Sequence, residues 1–176
     1  SSAAADVYKR QGRGVPREVE LVRALRRAEP NLAGIVLGVN EKHNNVILGD
    51  SYRTLWGEDF LSDTLCGLTF RLSVPSFYQV NPAQTEVLYG KALEFAGLTG
   101  AETVLDLYCG IGTISLVMAR KAGMVWGAEV VPQAVDDAIA NAQRNHIENA
   151  RFLCADAVLA AGYLEGGGAP RRGVRG

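Results

Sequence analysis

The chain has 176 residues, which is enough for one full domain with a small appendage, and its formal net charge is −1. This charge does not by itself indicate a nucleic-acid binder, no apolar run is long enough to span a membrane, and no secretory leader pattern opens the chain. The cysteines Cys66, Cys109 and Cys154 have unrelated spacings, which predicts no disulfide framework, no metal site and a reducing cytoplasmic location.

The first element with a clear period begins near Pro16. Ser1–Gln11 shows no periodicity, so we predict that residues 1–15 are disordered or a cloning scar. From Pro16 to Pro30 the pattern is helical, with an apolar stripe beside a basic face formed by Arg17, Arg23, Arg26 and Arg27. These arginines could contact phosphates, although a solvated helix face is the more common explanation of such a run.

Residues 31–74 change to the period of β-strands. Strands are predicted at Asn31–Val39, Asn45–Gly49, Tyr52–Trp56 and Thr64–Val74, with a turn at 43–45 and a tight reversal at Cys66–Gly67. We therefore predict that residues 16–76 form a helix and a small antiparallel sheet that faces RNA, ahead of a cofactor domain at 77–164. His43 in the turn is interpreted as a surface histidine, and Cys66 and Cys154 as small buried hydrophobes.

A short extended segment, Pro75-Ser-Phe-Tyr-Gln-Val-Asn-Pro82, joins the two parts. Gln79 beside two aromatic residues is unusual for a linker, but it is equally compatible with a solvated side chain between packing anchors. The next helix is predicted at Gln84–Ala96, with Leu88, Ala92 and Phe95 on one side and Gly97 ending it.

The most informative stretch is Thr103–Ser115, TVLDLYCGIGTIS. It reads as a buried strand, a loop with two glycines and a helix that begins near Thr113. Gly110 and Gly112 lack a Cβ, so the backbone can approach a ligand closely. This arrangement predicts a nucleotide-like cofactor, the alternative being a tight turn without a ligand.

Acidic residues at three successive strand ends indicate which cofactor. The dinucleotide fingerprint G-x-G-x-x-G lacks its third glycine here, and Asp106 would repel a pyrophosphate but suits the ammonium of a methionine moiety. Glu129 ends a second strand, at a position suited to a ribose diol. Asp156 follows a third strand, Arg151–Cys154, at a position suited to an adenine amino group. The pattern favours S-adenosyl-L-methionine over NAD.

The order of elements from residue 103 predicts the fold class. Strands beginning at 103, 124 and 151 alternate with helices beginning at 113 and 132, which is typical of an α/β protein with a Rossmann-like, doubly wound sheet. After Asp156, residues 157–164 could add one helix, whereas residues 165–176 have no apolar pattern. Because such a methyltransferase domain normally has more strands, we expect an incomplete sheet and a non-native, disordered tail at 165–176.

Four motifs in chain order resemble those of the RNA (uracil-5-)-methyltransferases. They are Phe77-Tyr-Gln-Val-Asn-Pro82, Asp106-Leu-Tyr-Cys-Gly-Ile-Gly-Thr113, Gly127-Ala-Glu-Val-Val-Pro132 and Ala155-Asp-Ala157. Asn40–Trp56 also resembles members that act on 23S ribosomal RNA in Gram-positive-like bacteria. The resemblance spans about Pro16 to Leu164. It implies a cofactor site lined by Gln79, Tyr108, Glu129 and Asp156, with Asp106 and Gly110 at its methionine end and Gly112 in the same loop.

The resemblance also implies a mechanism. A cysteine thiolate attacks uracil C6, the methyl group passes to C5, and a carboxylate removes the C5 proton. In the family these groups lie beyond the third strand, so we expect no catalytic residue and no turnover in this chain. Cys109 matches the cysteine of the cofactor loop. A tRNA target and a non-catalytic RNA-binding module remain as alternatives, whereas the Phe77–Asn81 motif disfavours a small-molecule or protein methyltransferase.

Overall fold

A computed structural model describes residues 7–10, 14–39, 51–74 and 81–165. The chain divides into two compact units, Ser1–Ser62 with Ser73–Pro75 and Asp63–Leu72 with Ser76–Gly176. Within the described residues, no helix combines the length and apolar content that crossing a membrane requires. The turn at 43–45, the strand predicted at 45–49, Gln79 and the tail at 166–176 lie outside the described residues.

The first unit contains one helix and a three-stranded sheet in the order β1-β2-β3. Strand β2 is antiparallel to β3 and parallel to β1. The elements are β1 (Val7–Arg10), α1 (Glu18–Ala28), β2 (Gly34–Val39) and β3 (Ser51–Gly57). The helix and both strands were predicted, although β2 and α1 begin two to three residues later than expected. We predicted residues 45–49 as the antiparallel partner of β2, whereas the structure pairs β2 with β3.

Strand β1 corrects the prediction for the start of the chain. We predicted no element in residues 1–15, but Val7–Arg10 pairs in parallel with Val36–Val39. Four residues are too few to show an alternation, and parallel pairing depends on a partner far along the chain, so periodicity could not indicate this strand.

The central strand β2 is the apolar core of this sheet. Four of its residues from Ile35 to Val39 are buried hydrophobes. The strand starts where the backbone is crowded, because a Cβ on Gly34 would lie 1.8 Å from the carbonyl oxygen of Glu58. Only glycine allows the backbone at the start of β2 to approach the residue after β3 this closely. The approach is held by a hydrogen bond from the N–H of Glu58 to the carbonyl of Ala33 at 3.0 Å.

The second unit is an α/β layer with a parallel sheet in the order β6-β7-β8. A hairpin precedes it, formed by β4 (Phe60–Leu65) and β5 (Leu68–Ser73), which confirms the reversal predicted at Cys66–Gly67. The remaining elements are α2 (Pro82–Ala96), β6 (Thr103–Asp106), α3 (Thr113–Ala119), β7 (Met124–Glu129), α4 (Pro132–Arg144), β8 (Ala150–Cys154) and α5 (Ala157–Glu165).

The core of this unit lies around β7 and the two helices that flank it in sequence. Val125 and Ala128 of β7, Leu116 of α3 and Ala138 of α4 are fully buried. Gly127 is also required by packing, because a Cβ there would lie 2.6 Å from Phe152 Cδ1 and 2.9 Å from Cys109 Sγ. The predicted alternation of strands and helices from residue 103 is thus confirmed, with the three strands parallel as expected.

The hairpin of β4 and β5 departs from the predicted domain boundary at residue 76. We predicted one antiparallel module for residues 16–76, but the hairpin forms its own two-stranded sheet and residues 63–72 cluster with the second unit. Its apolar side chains explain this, since Leu65, Leu68, Phe70 and Leu72 are all buried. An alternating strand pattern shows that one face is buried, but not which element covers it.

Hydrogen bonds from three helices of the second unit also hold the hairpin. Glu86 of α2 accepts from the N–H of Cys66 at 2.7 Å, and Arg120 at the end of α3 donates to the Cys66 carbonyl at 2.8 Å. On α4, Asn141 bonds both the N–H and the carbonyl of Arg71, and Asn145 does the same for Thr69. Two asparagine side chains one helical turn apart therefore make the backbone hydrogen bonds that a neighbouring strand would otherwise make with β5.

Candidate cofactor site

The candidate site is built where the parallel strands of the second unit end. Strand β6 ends at Asp106, which lies opposite Gly127 of β7, and Glu129 of β7 lies opposite Cys154 of β8. Parallel strands present their carboxyl ends at one edge of a sheet, and this edge is where open α/β sheets bind ligands. The structure thus brings Asp106 and Glu129 to the same edge, and Asp156 follows β8 there.

Asp106 is fixed by two hydrogen bonds from the segment that follows it. Ser115 Oγ, fully buried in the first turn of α3, donates to Asp106 Oδ2 at 2.6 Å. The N–H of Tyr108 donates to Asp106 Oδ1 at 3.4 Å. The carboxylate is therefore oriented by the protein and remains half-buried, while each oxygen keeps capacity for a further donor.

The loop between β6 and α3 turns on its two glycines. Gly110 has φ of 53° and Gly112 has φ of 82°, in the left-handed region that other residues rarely adopt. A Cβ on Gly112 would lie 3.0 Å from Phe152 Cζ, so this glycine is required by packing. A Cβ on Gly110 would meet nothing within 4 Å, so the loop is open on that side.

Glu129 links the end of β7 to this loop. Its Oε2 accepts a hydrogen bond from the N–H of Gly110 at 3.2 Å, and its Oε1 accepts one from the N–H of Val131 at 3.0 Å. The loop is also held from the strand below, because Cys109 N–H donates to the carbonyl of Ala128 at 3.0 Å. The carboxylate thus lies beside the open glycine, although the two are 19 residues apart in sequence.

Cys109 is buried within this acidic surrounding. Burial raises the pKa of its thiol well above the ordinary value, and the negative charges of Asp106 and Glu129 raise it further. A cysteine acts as a nucleophile through its thiolate, so this environment opposes nucleophilic chemistry at Cys109. The finding agrees with its predicted place in the cofactor loop. Cys154, in contrast, is exposed, so its interpretation as a buried hydrophobe was wrong.

Tyr108 and Asp156 flank the site. Tyr108 is 80% exposed, so its ring is free to cover a ligand at the loop. Asp156 lies two residues beyond β8, and its Oδ1 accepts a hydrogen bond from the N–H of Leu159 at 2.8 Å. This contact caps the start of α5, so Asp156 has a structural role, and its predicted role at the cofactor stays a prediction. Gln79 lies outside the described residues, and its predicted role stays a prediction.

Three residues that support the site were missed as candidates. Ser115 orients Asp106, Tyr89 of α2 shares a 2.7 Å hydrogen bond with Thr113 Oγ1 at the start of α3, and Asn141 donates to the carbonyl of Ile111 within the loop. All three are buried polar residues. Ser115 replaces the third glycine of the fingerprint, and that departure is the one sequence feature that could have indicated it.

Comparison with known proteins agrees with this geometry. The family model described as tRNA (uracil-5-)-methyltransferase matches residues 46–161. The chain belongs to the RNA (uracil-5-)-methyltransferase family. This membership confirms the resemblance on which the sequence-based prediction relied, and the match includes Asp106, Glu129 and Asp156.

Two bacterial RNA methyltransferases are similar to this chain in sequence. An uncharacterized RNA methyltransferase of Halalkalibacterium halodurans is 48% identical over 158 residues, covering 89% of this chain and 34% of the relative. One from Listeria monocytogenes is 49% identical over 154 residues, covering 86% and 34%. The chain thus spans about a third of the length of these relatives.

The fold is shared with a solved methyltransferase. The tRNA (uracil-54, C5)-methyltransferase of Pyrococcus abyssi, solved with S-adenosyl-L-homocysteine, matches with a TM-score of 0.70 and 24% identity. The match covers 89% of this chain and 36% of that one. At this level of identity the similarity shows the fold, and it confirms the predicted α/β methyltransferase class.

Proposed function

We propose that the second unit holds S-adenosyl-L-methionine and that the chain is the cofactor-binding part of an RNA (uracil-5-)-methyltransferase that acts on ribosomal RNA. The observation that carries this proposal is the placement of the Glu129 carboxylate against the N–H of Gly110, with Asp106 at the end of the neighbouring strand. The family membership and the S-adenosyl-L-homocysteine bound to the Pyrococcus abyssi enzyme support it.

The residues present fit this cofactor. The loop backbone is open beside Gly110, where a Cβ would find only empty space. Carboxylates accept hydrogen bonds, and the cofactor offers donors at three separated places: its ammonium, its ribose diol and its adenine amino group. Asp106 and Glu129 end two successive strands and Asp156 follows the third, an order that matches the order of these groups along the cofactor.

Each residue then has a defined role. Asp106, oriented by Ser115, binds the ammonium, and Glu129 accepts from the ribose hydroxyls with the lone pairs that Gly110 and Val131 leave available. Asp156 receives the adenine amino group, the Tyr108 ring covers the loop side, and Gly112 lets α3 start close to Phe152. Gln79 is proposed to complete the site. When bound, the cofactor supplies an activated methyl group.

The nucleophile for uracil C6 is proposed to lie outside this chain. Among the three cysteines, Cys109 is buried with a raised pKa, and burial also raises the pKa of Cys66, assisted by the charge of Glu86. Neither environment favours a thiolate. Cys154 is exposed, but it is the last residue of the third parallel strand, and the resemblance implies a nucleophile beyond that strand. We therefore propose that the chain binds the cofactor but does not transfer methyl groups to uracil without further parts of the enzyme.

Ribosomal RNA is proposed as the target because Asn40–Trp56 resembles the members that act on 23S ribosomal RNA. The matching family and the Pyrococcus abyssi enzyme are both named as tRNA methyltransferases, so a tRNA target is the second candidate. A comparison of methylated uridines in 23S ribosomal RNA and tRNA from a strain that lacks the gene would separate the two. Loss of 5-methyluridine from tRNA alone would refute the ribosomal assignment.

Isothermal titration of the purified chain with S-adenosyl-L-homocysteine tests the cofactor site. We expect saturable binding that is weakened at least tenfold in Asp106→Ala and in Glu129→Ala, since each variant removes charge-assisted hydrogen bonds worth about 1.5–3 kcal/mol. Glu148→Ala is the matched control, because it removes an exposed carboxylate of the same unit. Equal affinity in all four proteins, or no binding by a folded chain, would refute the proposed site.

A further inference from the structure

A second feature suited to a ligand lies in the first unit and includes none of the proposed cofactor residues. A cleft of about 490 Å³ is lined by Arg23, Arg26 and Arg27 of α1 and by Trp56 of β3. The arginines have the spacing i, i+3 and i+4, which places them on one face of the helix. Pockets of this volume are large enough for small ligands or for one unit of a larger one.

Among the described residues, the arginines of this cleft form no ion pairs. Near the start of α1, Arg17 pairs with Glu20, and Arg53 of β3 pairs with Glu18. Within the described residues, no carboxylate lies within 4 Å of the guanidinium groups of Arg23, Arg26 or Arg27.

One carboxylate does line the cleft. Glu29 accepts a hydrogen bond from the N–H of Asn31 at 3.0 Å, so it is engaged at the helix end. Three arginines against one glutamate leave a formal charge of +2 around the opening. Cations near a helix C-terminus also stabilise the helix. That stabilisation does not require the three arginine side chains to line the same cleft.

Trp56 gives the cleft an aromatic wall. The guanidinium carbon of Arg26 lies 4.3 Å from the centroid of the Trp56 ring, which is cation–π geometry. This contact orients the plane of the guanidinium while its N–H edges remain available for hydrogen bonds. Arg27 donates from Nε to the carbonyl of Arg23 at 3.3 Å, which leaves its two terminal nitrogens free for a ligand.

We propose that this cleft binds a single-stranded segment of the substrate RNA. The guanidinium groups would contact phosphates, and a base would stack on Trp56 or on the Arg26 plane, because unpaired bases are recognised on aromatic rings and guanidinium planes. The choice of RNA over other polyanions rests on the proposed function. The overall charge of −1 gives no indication of this site, because the basic residues are concentrated locally.

Fluorescence anisotropy with a labelled oligouridylate tests the proposal on the full chain. We expect Arg26→Ala and the pair Arg23→Ala/Arg27→Ala to weaken binding by about tenfold, with the slope of log K against log salt reduced by about 0.7 for each lost phosphate contact. Arg17→Ala is the control, since it removes the same charge from the residue that precedes α1 and does not line the cleft. Equal weakening in the control, or no saturable binding by the wild-type chain, would overturn the proposal.

Two further variants test the aromatic wall. Trp56→Phe keeps a ring and should retain most of the affinity. Trp56→Thr keeps a strand-forming residue without a ring and should lose affinity about tenfold, since the base would no longer stack. Circular dichroism verifies that both variants fold. If polyglutamate of equal charge displaced the RNA as well as unlabelled RNA does, the site would be a general polyanion surface suited to an acidic protein, and the RNA assignment would be overturned.

Titration of the same variants with S-adenosyl-L-homocysteine separates this proposal from the cofactor site. Loss of RNA binding in Arg26→Ala with unchanged cofactor affinity is the expected result. A wild-type chain that binds oligouridylate through the cleft but does not bind S-adenosyl-L-homocysteine would refute the cofactor site and leave the cleft supported. Cofactor binding without any effect of the cleft variants on RNA affinity would refute the cleft alone.

Discussion

Asn141 should be the most costly single polar side chain to remove from the second unit. It is fully buried and makes three side-chain hydrogen bonds: from Arg71 N–H at 2.7 Å, to the Arg71 carbonyl at 3.1 Å and to the Ile111 carbonyl at 3.3 Å. At about 1 kcal/mol for each net hydrogen bond, Asn141→Ala loses about 3 kcal/mol. The partners left without bonds raise the cost towards about 5 kcal/mol.

Asn145 provides the matched comparison. It makes the same paired contact with Thr69 and also donates to the backbone carbonyl of Asn141, but its site is only half-buried. Water can replace its bonds, so Asn145→Ala should cost about 1 kcal/mol. Because typical domains are stable by about 5–15 kcal/mol, only the first substitution should approach the unfolding threshold.

Urea unfolding followed by circular dichroism measures both costs on the same chain. We expect the free energy of unfolding to fall about three to five times as much for Asn141→Ala as for Asn145→Ala, with the m-value unchanged. Under conditions where both variants are folded, only Asn141→Ala should also weaken binding of S-adenosyl-L-homocysteine, since Ile111 belongs to the cofactor loop. Equal losses of stability in the two variants would refute the attribution to buried, unsatisfied partners.

Three further predictions follow from local geometry. Alkylation with iodoacetamide should label exposed Cys154 first and Cys109 last, with Cys109 still slow at pH 9 because its pKa is raised; early labelling of Cys109 by mass spectrometry would contradict this. Hydrogen bonds from Thr99 and Gly100 lower the pKa of Glu102 from 4.5 to about 2, so its stabilisation is present above pH 4.5 and lost as pH falls through 2. Urea midpoints should therefore show Glu102→Gln less stable than wild type at pH 7 and equal to it below pH 2, and a pH-independent difference would contradict the hydrogen-bond assignment. Gly127→Ala should lose about 1–3 kcal/mol by overpacking against Phe152, whereas Gly110→Ala should lose only the left-handed backbone cost of about 1–2 kcal/mol, and a larger urea-measured loss for Gly110→Ala would contradict both.

The strands of the parallel sheet could be predicted from their apolar runs, although the prediction that the first of them is buried was wrong. No residue of β6 is buried, because β6 is an edge strand of the described three-stranded sheet. Thr103–Asp106 and Met124–Glu129 are short apolar runs that end in an acid, and Pro132 stands at the first position of α4. The acids fall at strand ends, and the topology of a parallel sheet then places those ends at one edge. The position of each acid at the end of an apolar run was therefore enough to predict its place at this edge of the sheet.

The packing of α2 shows where this agreement ends. Leu88 and Phe95 were predicted on one side with Ala92, but they are 62% and 82% exposed, while Thr85 and Tyr89 are buried. Thr85 donates from Oγ1 to the carbonyl of Asn81, and Tyr89 hydrogen-bonds Thr113, so both are buried as bonded polar groups. An apolar stripe could not indicate this face, because its buried members carry hydroxyl groups that hydrogen-bond, one of them to the start of another helix.

Ser115 stands where the dinucleotide fingerprint has its third glycine, and it hydrogen-bonds Asp106. The missing glycine and the acid at position 106 are therefore linked. A glycine at position 115 would leave the Asp106 carboxylate without the 2.6 Å hydrogen bond that orients it. Ser115 is fully buried, so the small space normally filled by glycine also accommodates its hydroxyl. Such a carboxylate would weaken the binding of a pyrophosphate, because both groups are negatively charged and would repel each other. The serine is therefore consistent with the proposed binding of a cationic group at Asp106. In titrations with S-adenosyl-L-homocysteine, Ser115→Ala should bind more weakly than wild type, whereas Ser115→Thr, which retains the hydroxyl, should lose stability instead.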